Sequence, residues 1–312
     1  MGRLAPSPTG RLHLGHARSF LLAWWSVRSR GGRMLLRIED LDTGRARPEL
    51  SDLVLRDLEW LGLDWDGRAL VQSADRAPYD TAVEHLFAAG RAYACVCTRR
   101  EVAEASAPQA GDGGEARYPG TCRGRFAGVA EAERASGRPA GVRLAVPPGS
   151  VPIADGFAGE HSFDVQADIG DFLLARRDGV VAYQLAVVVD DARQGVTEVL
   201  RGDDLLSSAA RQLHLQRALD LPSPAWLHVP LVVGDDGQRL AKRRGDLALA
   251  SLRAEGVDPR AVVAWAARAS GLDAPEPLSA RELVAGFDLA RVPRAPARFG
   301  DAQLLEVRAW RV

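Results

Sequence analysis

The chain predicts an α/β fold, a parallel sheet covered by helices and interrupted by a cysteine-bearing insertion. Three observations lead there. Short apolar segments alternate with amphipathic ones near the amino terminus, the alternation breaks into Gly- and Pro-rich turns from roughly Arg91 to Gly179, and it resumes from Val180. Such alternation builds parallel sheets whose ligands gather at the carboxyl ends of the strands.

The first strand is expected at Gly2 to Ala5, followed by a Pro/Gly turn through PSPTG and an amphipathic helix from Leu14 to Arg30. Ala17, Phe20, Leu21, Trp24 and Val27 share one helical face, which assigns the Trp24-Trp25 pair to the core, and Gly31 and Gly32 end the helix. MLLRIE, Met34 to Glu39, reads as an apolar strand turning acidic at its end, and Pro48 to Leu61 as a second amphipathic helix. These elements make residues 1–90 the first half of the sheet domain. The insertion, 91–179, holds all three cysteines and a low-complexity stretch, SAPQAGDGGEA, expected to be a mobile loop. Residues 180–235 complete the sheet with VVAYQLAVVVDD, VTEVLRG, the helical SSAARQLHLQRALDL and the strand HVPLVV. Residues 236–312 hold the loop GDDGQRLAKRRGD and a small helical appendage, with helical periodicity at Leu247 to Ala254 and Pro259 to Ser270.

Composition narrows the function. A net charge of −1 over 312 residues excludes a generic nucleic-acid coat, so any such partner must meet a local basic patch. No apolar stretch is long enough to span a bilayer, and Met1 leads into RLAPSPTG rather than a signal core, so a cytoplasmic address is expected. A monomer is expected separately, with no residue pattern behind it. Three clustered cysteines, Cys95, Cys97 and Cys122, argue for reduced thiols or a metal rather than a disulfide framework. Of the 40 lysines and arginines, all but Lys242 are arginine, and asparagine is absent. A GC-rich coding sequence explains that drain. Lys242 then marks either chance survival or a site that needs a compact, mobile point charge rather than a planar fork.

Two motifs carry chemistry. HLGH, His13 to His16, stands where the first strand hands over to the first helix, and free N–H groups at a helix start favour phosphate. Its imidazoles can donate to a phosphate whose charge grows during reaction, and Gly15 lets a flat base approach the backbone. The plainer alternatives are a helix-start pair or a metal pair. RLAKRRG, Arg239 to Gly245, follows a buried strand and can clamp a departing pyrophosphate; alone, such a run is more often a solvated charge run.

Together the motifs resemble the paired signatures of class I aminoacyl-tRNA synthetases. GRLAPSPTGRLHLGHA, RIEDLD, LEWLGLDWDG, AYQLAVVVDD, VTEVLRGDDLL and HVPLV are similar, in order, to segments of glutamyl-tRNA synthetases, and most similar to their short branch, which attaches glutamate to queuosine in tRNA(Asp). The resemblance spans residues 2 to about 245, and the chain stops at Val312, as that branch does before the anticodon-binding domains. It implies a Rossmann-type sheet, activation of L-glutamate with ATP and magnesium independently of tRNA, and transfer to queuosine-bearing tRNA(Asp). It also implies catalytic roles for His13, His16 and Lys242, and ATP contacts from Gly15, Arg239 and Arg243 as well.

Glutamate, by the same resemblance, falls among Arg3, Ala5, Ser7, Glu39, Tyr183 and Arg201. The chemistry agrees: two arginine forks suit two carboxylates, Glu39 suits an ammonium, and Tyr183 adds a hydroxyl. The resemblance further implies a structural zinc on Cys95, Cys97, Tyr118 and Cys122, against the alternative of buried reduced thiols. Nearby Arg99, Arg100, Arg123 and Arg125 can meet RNA phosphates. His85, His161, His214 and His228 lack spaced partners and receive structural roles. Asp190-Asp191 and Asp203-Asp204 read as motif context, either pair able to assist magnesium.

Two departures bear on the reading. Arg239 and Ala241 flank Lys242 where the family usually places a lysine-rich loop, and Val187 stands where full-length glutamyl enzymes carry asparagine. The rival readings are a truncated discriminating glutamyl-tRNA synthetase charging a 3′ end and a catalytically inactive tRNA-binding module.

Overall fold

A computed structural model of the chain describes residues 1–106, 116–240 and 247–312. Lys242, Arg243 and the centre of the low-complexity stretch lie outside the described residues. The sheet begins with β1 (Gly2–Leu4), and the chain crosses through helix α1 (Leu14–Arg28) to β2 (Met34–Ile38), which pairs with β1 in parallel, Gly2 against Met34. α1 holds because Leu14, Ala17, Leu21, Trp24 and Trp25 are buried in the main apolar core. It ends two residues before the expected Arg30. Helix α2 (Pro48–Trp60) starts on a proline, whose missing N–H has no partner to lose in a first turn, and β3 (Leu70–Val71) extends the sheet parallel to β2 before α3 (Ala77–Ala88).

The middle of the chain changes pattern. β4 (Ala92–Cys95), α4 (Arg99–Ser106), α5 (Val129–Ser136) and β5 (Gly141–Leu144) lead to a hairpin of β6 (Val151–Asp155) and β7 (Gly159–Phe163). The short α6 (Val165–Asp168) and β8 (Leu173–Ala175) follow, and β4, β5 and β8 form an antiparallel sheet. The hairpin alternates buried and exposed residues along β6, the period-2 pattern of a strand with one covered face.

The parallel plan returns with α7 (Tyr183–Gln194), β9 (Glu198–Gly202), α8 (Leu206–Ala218) and β10 (Ala225–Val229). Residues 185–191 of α7 are buried without interruption, so the apolar run LAVVV is a helix enclosed on several sides. The Met1 carbonyl accepts from the Thr197 and Glu198 N–H groups, seating β9 beside β1. The sheet therefore reads β3-β2-β1-β9-β10, all strand pairs within it that have a register being parallel. HVPLVV is not one strand as expected: Pro230 cannot donate to a ladder, and it separates β10 from β11 (Val232–Val233).

The carboxyl-terminal segment is more than an appendage. α9 (Leu249–Ala254) and α10 (Pro259–Arg268) lead to β12 (Ala297–Arg298), which pairs with β11, and to α11 (Asp301–Ala309). Ala261 to Ala267 are buried in the same apolar core as α1, the Arg18 guanidinium donates to Pro230 O and Ala269 O, and the Trp25 indole donates to Ala280 O. The Ala/Leu composition of this segment hides its role. Small side chains let α10 approach α1 closely, and truncating it would open the main core. Among the described residues no helix is long and apolar enough to cross a membrane.

Candidate active site

A cleft of ≈ 540 Å³ opens where β1, β2 and β9 end and α1 begins, and its lining includes Arg3, Ala5, Ser7, His13, Gly15, His16, Glu39, Tyr183, Arg201 and Arg239. Residues 200 positions apart thus meet because parallel strands deliver their carboxyl ends to one edge. At one end of the cleft lies the start of α1. His13 is its N-cap: His13 Nδ1 accepts from the Gly15 N–H at 3.1 Å, and His16 Nδ1 accepts from the His13 N–H at 3.2 Å. With both Nδ1 atoms accepting, each neutral ring carries its proton on Nε2, which makes two donors for an anion. Burial pushes the His13 imidazole down and, with the nearby His13 ring, drives His16 to about 3. Both are neutral donors at neutral pH, not cations.

The other end is fully charged. Arg3 and Arg201 are each 6% exposed, yet they are held differently. Arg201 donates to His228 Nε2 at 2.9 Å, Gln212 Oε1 at 2.9 Å, Leu205 O at 3.3 Å and the Tyr183 hydroxyl at 3.4 Å. Arg3 faces Asp191 at 3.6 Å, and its buried Nε has no hydrogen-bond partner among the described residues. That Nε is the atom turned toward Asp191, beyond hydrogen-bond reach, so the pair is held by charge alone. Glu39 is positioned from both sides: its N–H donates to Pro6 O, and its carboxylate accepts from the fully buried Arg37 at 3.1 Å and from the Ser7 hydroxyl at 3.4 Å. Burial pushes the Glu39 carboxyl up while Arg37 and Arg3 pull it down.

The two aspartate pairs part company. Asp190 accepts from Gln72 and Tyr79 at 2.8 Å, and Asp191 accepts from Arg37 at 2.8 Å, so this pair braces the core and is not placed to assist magnesium. Asp204 instead lines the cleft and meets Arg239 at 3.4 Å. Val187 is buried in the apolar cluster of α7 rather than exposed to the cleft.

The thiols of Cys95, Cys97 and Cys122 lie within 4.8 Å of one another. Tyr118 completes the group, its hydroxyl 3.3 Å from Cys95 Sγ and 3.8 Å from Cys97 Sγ while accepting from the Cys122 N–H at 2.9 Å. The Arg143 guanidinium covers the Tyr118 ring at 3.7 Å and donates to Cys95 Sγ at 3.3 Å, a cation suited to thiolates. Gly170 is required behind it, since at φ +76 an added Cβ would stand 2.1 Å from Tyr118 O. Three soft sulfurs and an oxygen at these separations fit zinc. Beside the cluster a second cleft of ≈ 800 Å³ is lined by Arg99, Arg143, Arg176, Arg177 and Arg211. Arg123 is tied to Asp171 and Val146 O, Arg100 pairs with Glu104, and Arg125 lies over Phe126, so of the four basic residues expected to face RNA only Arg99 lines this cleft.

Sequence reasoning missed three contributors. Arg37 and Asp191 brace Glu39 and Arg3, and His228, read as merely structural, touches Arg201 directly. The signal for His228 was present in strand register: β9 and β10 pair Arg201 with His228.

Comparison with known proteins agrees with this geometry. Residues 1–305 match the family described as tRNA synthetases class I (E and Q), catalytic domain. The chain is 49% identical over 307 residues to the glutamyl-Q tRNA(Asp) synthetase of Symbiobacterium thermophilum, covering 95% of each, and 47% identical over 305 residues to that of Nocardia farcinica, covering 98% of this chain and 94% of the relative. Among solved structures it resembles a glutamate tRNA ligase from Elizabethkingia meningosepticum in complex with its amino acid, with a TM-score of 0.81 and 27% identity, covering 97% of this chain and 67% of the ligase.

Proposed function

Because the chain belongs to the class I tRNA synthetase family for glutamate and glutamine, we propose that it activates L-glutamate with ATP and transfers it to queuosine in the anticodon of tRNA(Asp). The observation that carries this is one cleft with two chemically distinct ends: buried arginines and Glu39 at one, and neutral helix-start imidazoles at the other. Near-complete alignment at 49% and 47% identity with two glutamyl-Q tRNA(Asp) synthetases supports the choice of acceptor.

In the first step a glutamate α-carboxylate oxygen attacks the α-phosphorus of ATP. A carboxylate–phosphorus bond forms, the α–β phosphoanhydride breaks, and pyrophosphate departs with magnesium. Arg3 and Arg201 bind the two carboxylates, Glu39 takes the ammonium, and Ala5, Ser7 and Tyr183 shape the pocket. The Nε2–H groups of His13 and His16 and the helix-start amides donate to phosphate oxygens as their charge grows. Arg239, Lys242 and Arg243 supply the positive charge for pyrophosphate. In the second step a queuosine hydroxyl attacks the acyl carbon, an ester forms and AMP leaves.

Zinc on Cys95, Cys97, Tyr118 and Cys122 is structural in this reading, bracing the basic cleft that receives the tRNA. Metal analysis should find about one zinc per chain, and Cys97→Ser should lower it. The direct test of function incubates the enzyme with labelled glutamate, ATP and tRNA(Asp) with or without queuosine. Label is expected only on the queuosine-bearing tRNA, with glutamate-dependent pyrophosphate exchange proceeding without any tRNA. Charging of a tRNA(Glu) 3′ end would overturn the acceptor, and absence of exchange would overturn the activity.

A further inference from the structure

Behind Arg201 lies a polar pair that glutamate cannot reach. The side chains of His228 and Asp155 are completely enclosed, 0% exposed each, and they connect β10 to the hairpin strand β6. Parallel register sets Arg201 beside His228, so both side chains leave the sheet on the same face. There Arg201 Nε–H donates to His228 Nε2 at 2.9 Å, and His228 Nδ1 stands 2.5 Å from Asp155 Oδ2.

The tautomer follows from elementary chemistry. Guanidinium cannot accept, so His228 Nε2 must be bare and the ring proton must sit on Nδ1, donated to Asp155. The other carboxylate oxygen of Asp155 is fixed too: Oδ1 accepts from the backbone N–H groups of Phe157, Ala158 and His228 at 2.9, 2.7 and 3.1 Å. Burial pushes the Asp155 carboxyl up, but these bonds and the His228 ring hold it at about 2, a carboxylate at neutral pH.

Resting on the reading that Arg201 binds glutamate, we infer that Asp155 and His228 are positioning residues for that substrate: Asp155 sets the His228 tautomer, and His228 sets the plane of the Arg201 guanidinium. The edge of Arg201 left over is the one that meets Tyr183 and the cleft. Four of the five guanidinium N–H groups are taken, and the one left on Nη1 meets a carboxylate squarely only when the guanidinium plane is held, so a tilt weakens glutamate binding while leaving ATP binding alone.

The sharpest probe is Asp155→Asn. Three backbone N–H groups demand an oxygen at the Oδ1 position, so the new amide must point its NH₂ at His228 Nδ1. That nitrogen then has to accept, the ring proton moves to Nε2, and it confronts the Arg201 Nε–H donor to donor. The change is nearly isosteric, and its effect is expected at Arg201. In glutamate- and ATP-dependent pyrophosphate exchange, Asp155→Asn should raise the glutamate KM by ~10- to 100-fold with the ATP KM and kcat within about twofold of the parent. His228→Leu should behave alike, and His228→Gln, whose Oε1 can occupy the Nε2 position, should recover most of the loss.

A purely structural pair would lower the melting temperature of Asp155→Asn and His228→Leu and leave the glutamate KM unchanged, which overturns the inference. Should Asp155→Asn fail to fold, equal glutamate KM values for His228→Leu and His228→Gln overturn it as well. Arg201→Leu separates this outcome from failure of the underlying reading. If that variant also keeps its glutamate KM, the assignment of glutamate to Arg201 is wrong; if it alone loses affinity, only the positioning role falls.

Discussion

The two ends of the cleft meet anionic ligands by opposite means. Where glutamate is assigned, Arg3, Arg37, Arg201, Glu39 and Asp191 form a buried network of full charges; where phosphate is assigned, the groups at the start of α1 are neutral imidazoles and backbone amides, with the half-exposed Arg239 held by Asp204 beside them. The difference tracks what each ligand does during reaction. Glutamate's side-chain carboxylate and ammonium keep their charges and need a rigid complement, whereas the α-carboxylate loses its charge in bonding to phosphorus, and phosphate gains and redistributes charge and arrives with its own metal. Further positive charge is assigned, by the proposed function, to Arg239 and Lys242.

The largest effect should come from breaking the rigid end. Arg201→Leu removes one buried cation from four acceptors and leaves the substrate carboxylate without its fork, a loss of about 3–5 kcal/mol. Glutamate KM should therefore rise by roughly two to four orders of magnitude, with ATP KM little changed; steady-state pyrophosphate exchange measures both. A parallel rise in ATP KM would mean that the ends are not independent.

Next comes the single lysine. Lys242→Ala should lower the maximal exchange rate by ~100-fold while glutamate KM and the melting temperature hold. Lys242→Arg separates charge from shape: substantial recovery would show that any cation serves, and that the single lysine survived by chance. Full activity in the alanine variant would remove Lys242 from the mechanism.

A smaller effect tests the neutrality of the imidazoles. His16→Ala should reduce the rate by ~10- to 100-fold, and in the parent enzyme the rate should show no acid limb from these rings near pH 6.5. His16 falls from 6.5 to about 3 on folding, so the unfolded chain binds the extra proton between those values. Its contribution to stability is fully present above 6.5 and is lost as pH falls toward 3. A limb near 6.5 that disappears in His16→Ala would show a charged imidazole and break the contrast.

The phosphate end was far easier to read in the sequence than the rigid end. HLGH declares its geometry within four residues, because a helix start needs only local chain to form. Cys95 and Cys97 likewise announce a cluster by spacing. Arg3, Glu39, Tyr183 and Arg201 emerged only through family resemblance, as arginines in a chain saturated with them. Their supports were invisible: Asp191 reaches Arg37 across 154 positions and Asp155 reaches His228 across 73, distances that only strand order closes. The carboxyl-terminal helices were legible as helices, but their burial escaped for another reason. Ala-rich periodicity describes an exposed appendage and a tightly packed core helix equally well, and only contact with α1 tells them apart.

Gly15→Ala offers the smallest expected effect, and it separates stability from function by sign. At the second position of α1 alanine is the better helix former, a gain of up to about 0.5–1 kcal/mol. The added Cβ would stand 2.9 Å from His13 Cε1 and 3.7 Å from Val232 Cβ, so the His13 ring must give by a few tenths of an ångström. That ring is tethered by the hydrogen bond from the Gly15 N–H itself, so its shift loosens the cap and misdirects Nε2. The methyl also occupies the face on which a base can approach the backbone. Melting temperature should hold or rise slightly, while ATP KM increases ~5- to 10-fold and glutamate KM stays put. A fall in melting temperature with unchanged ATP KM would mean that glycine serves the helix start alone and that nucleotide does not pass over it.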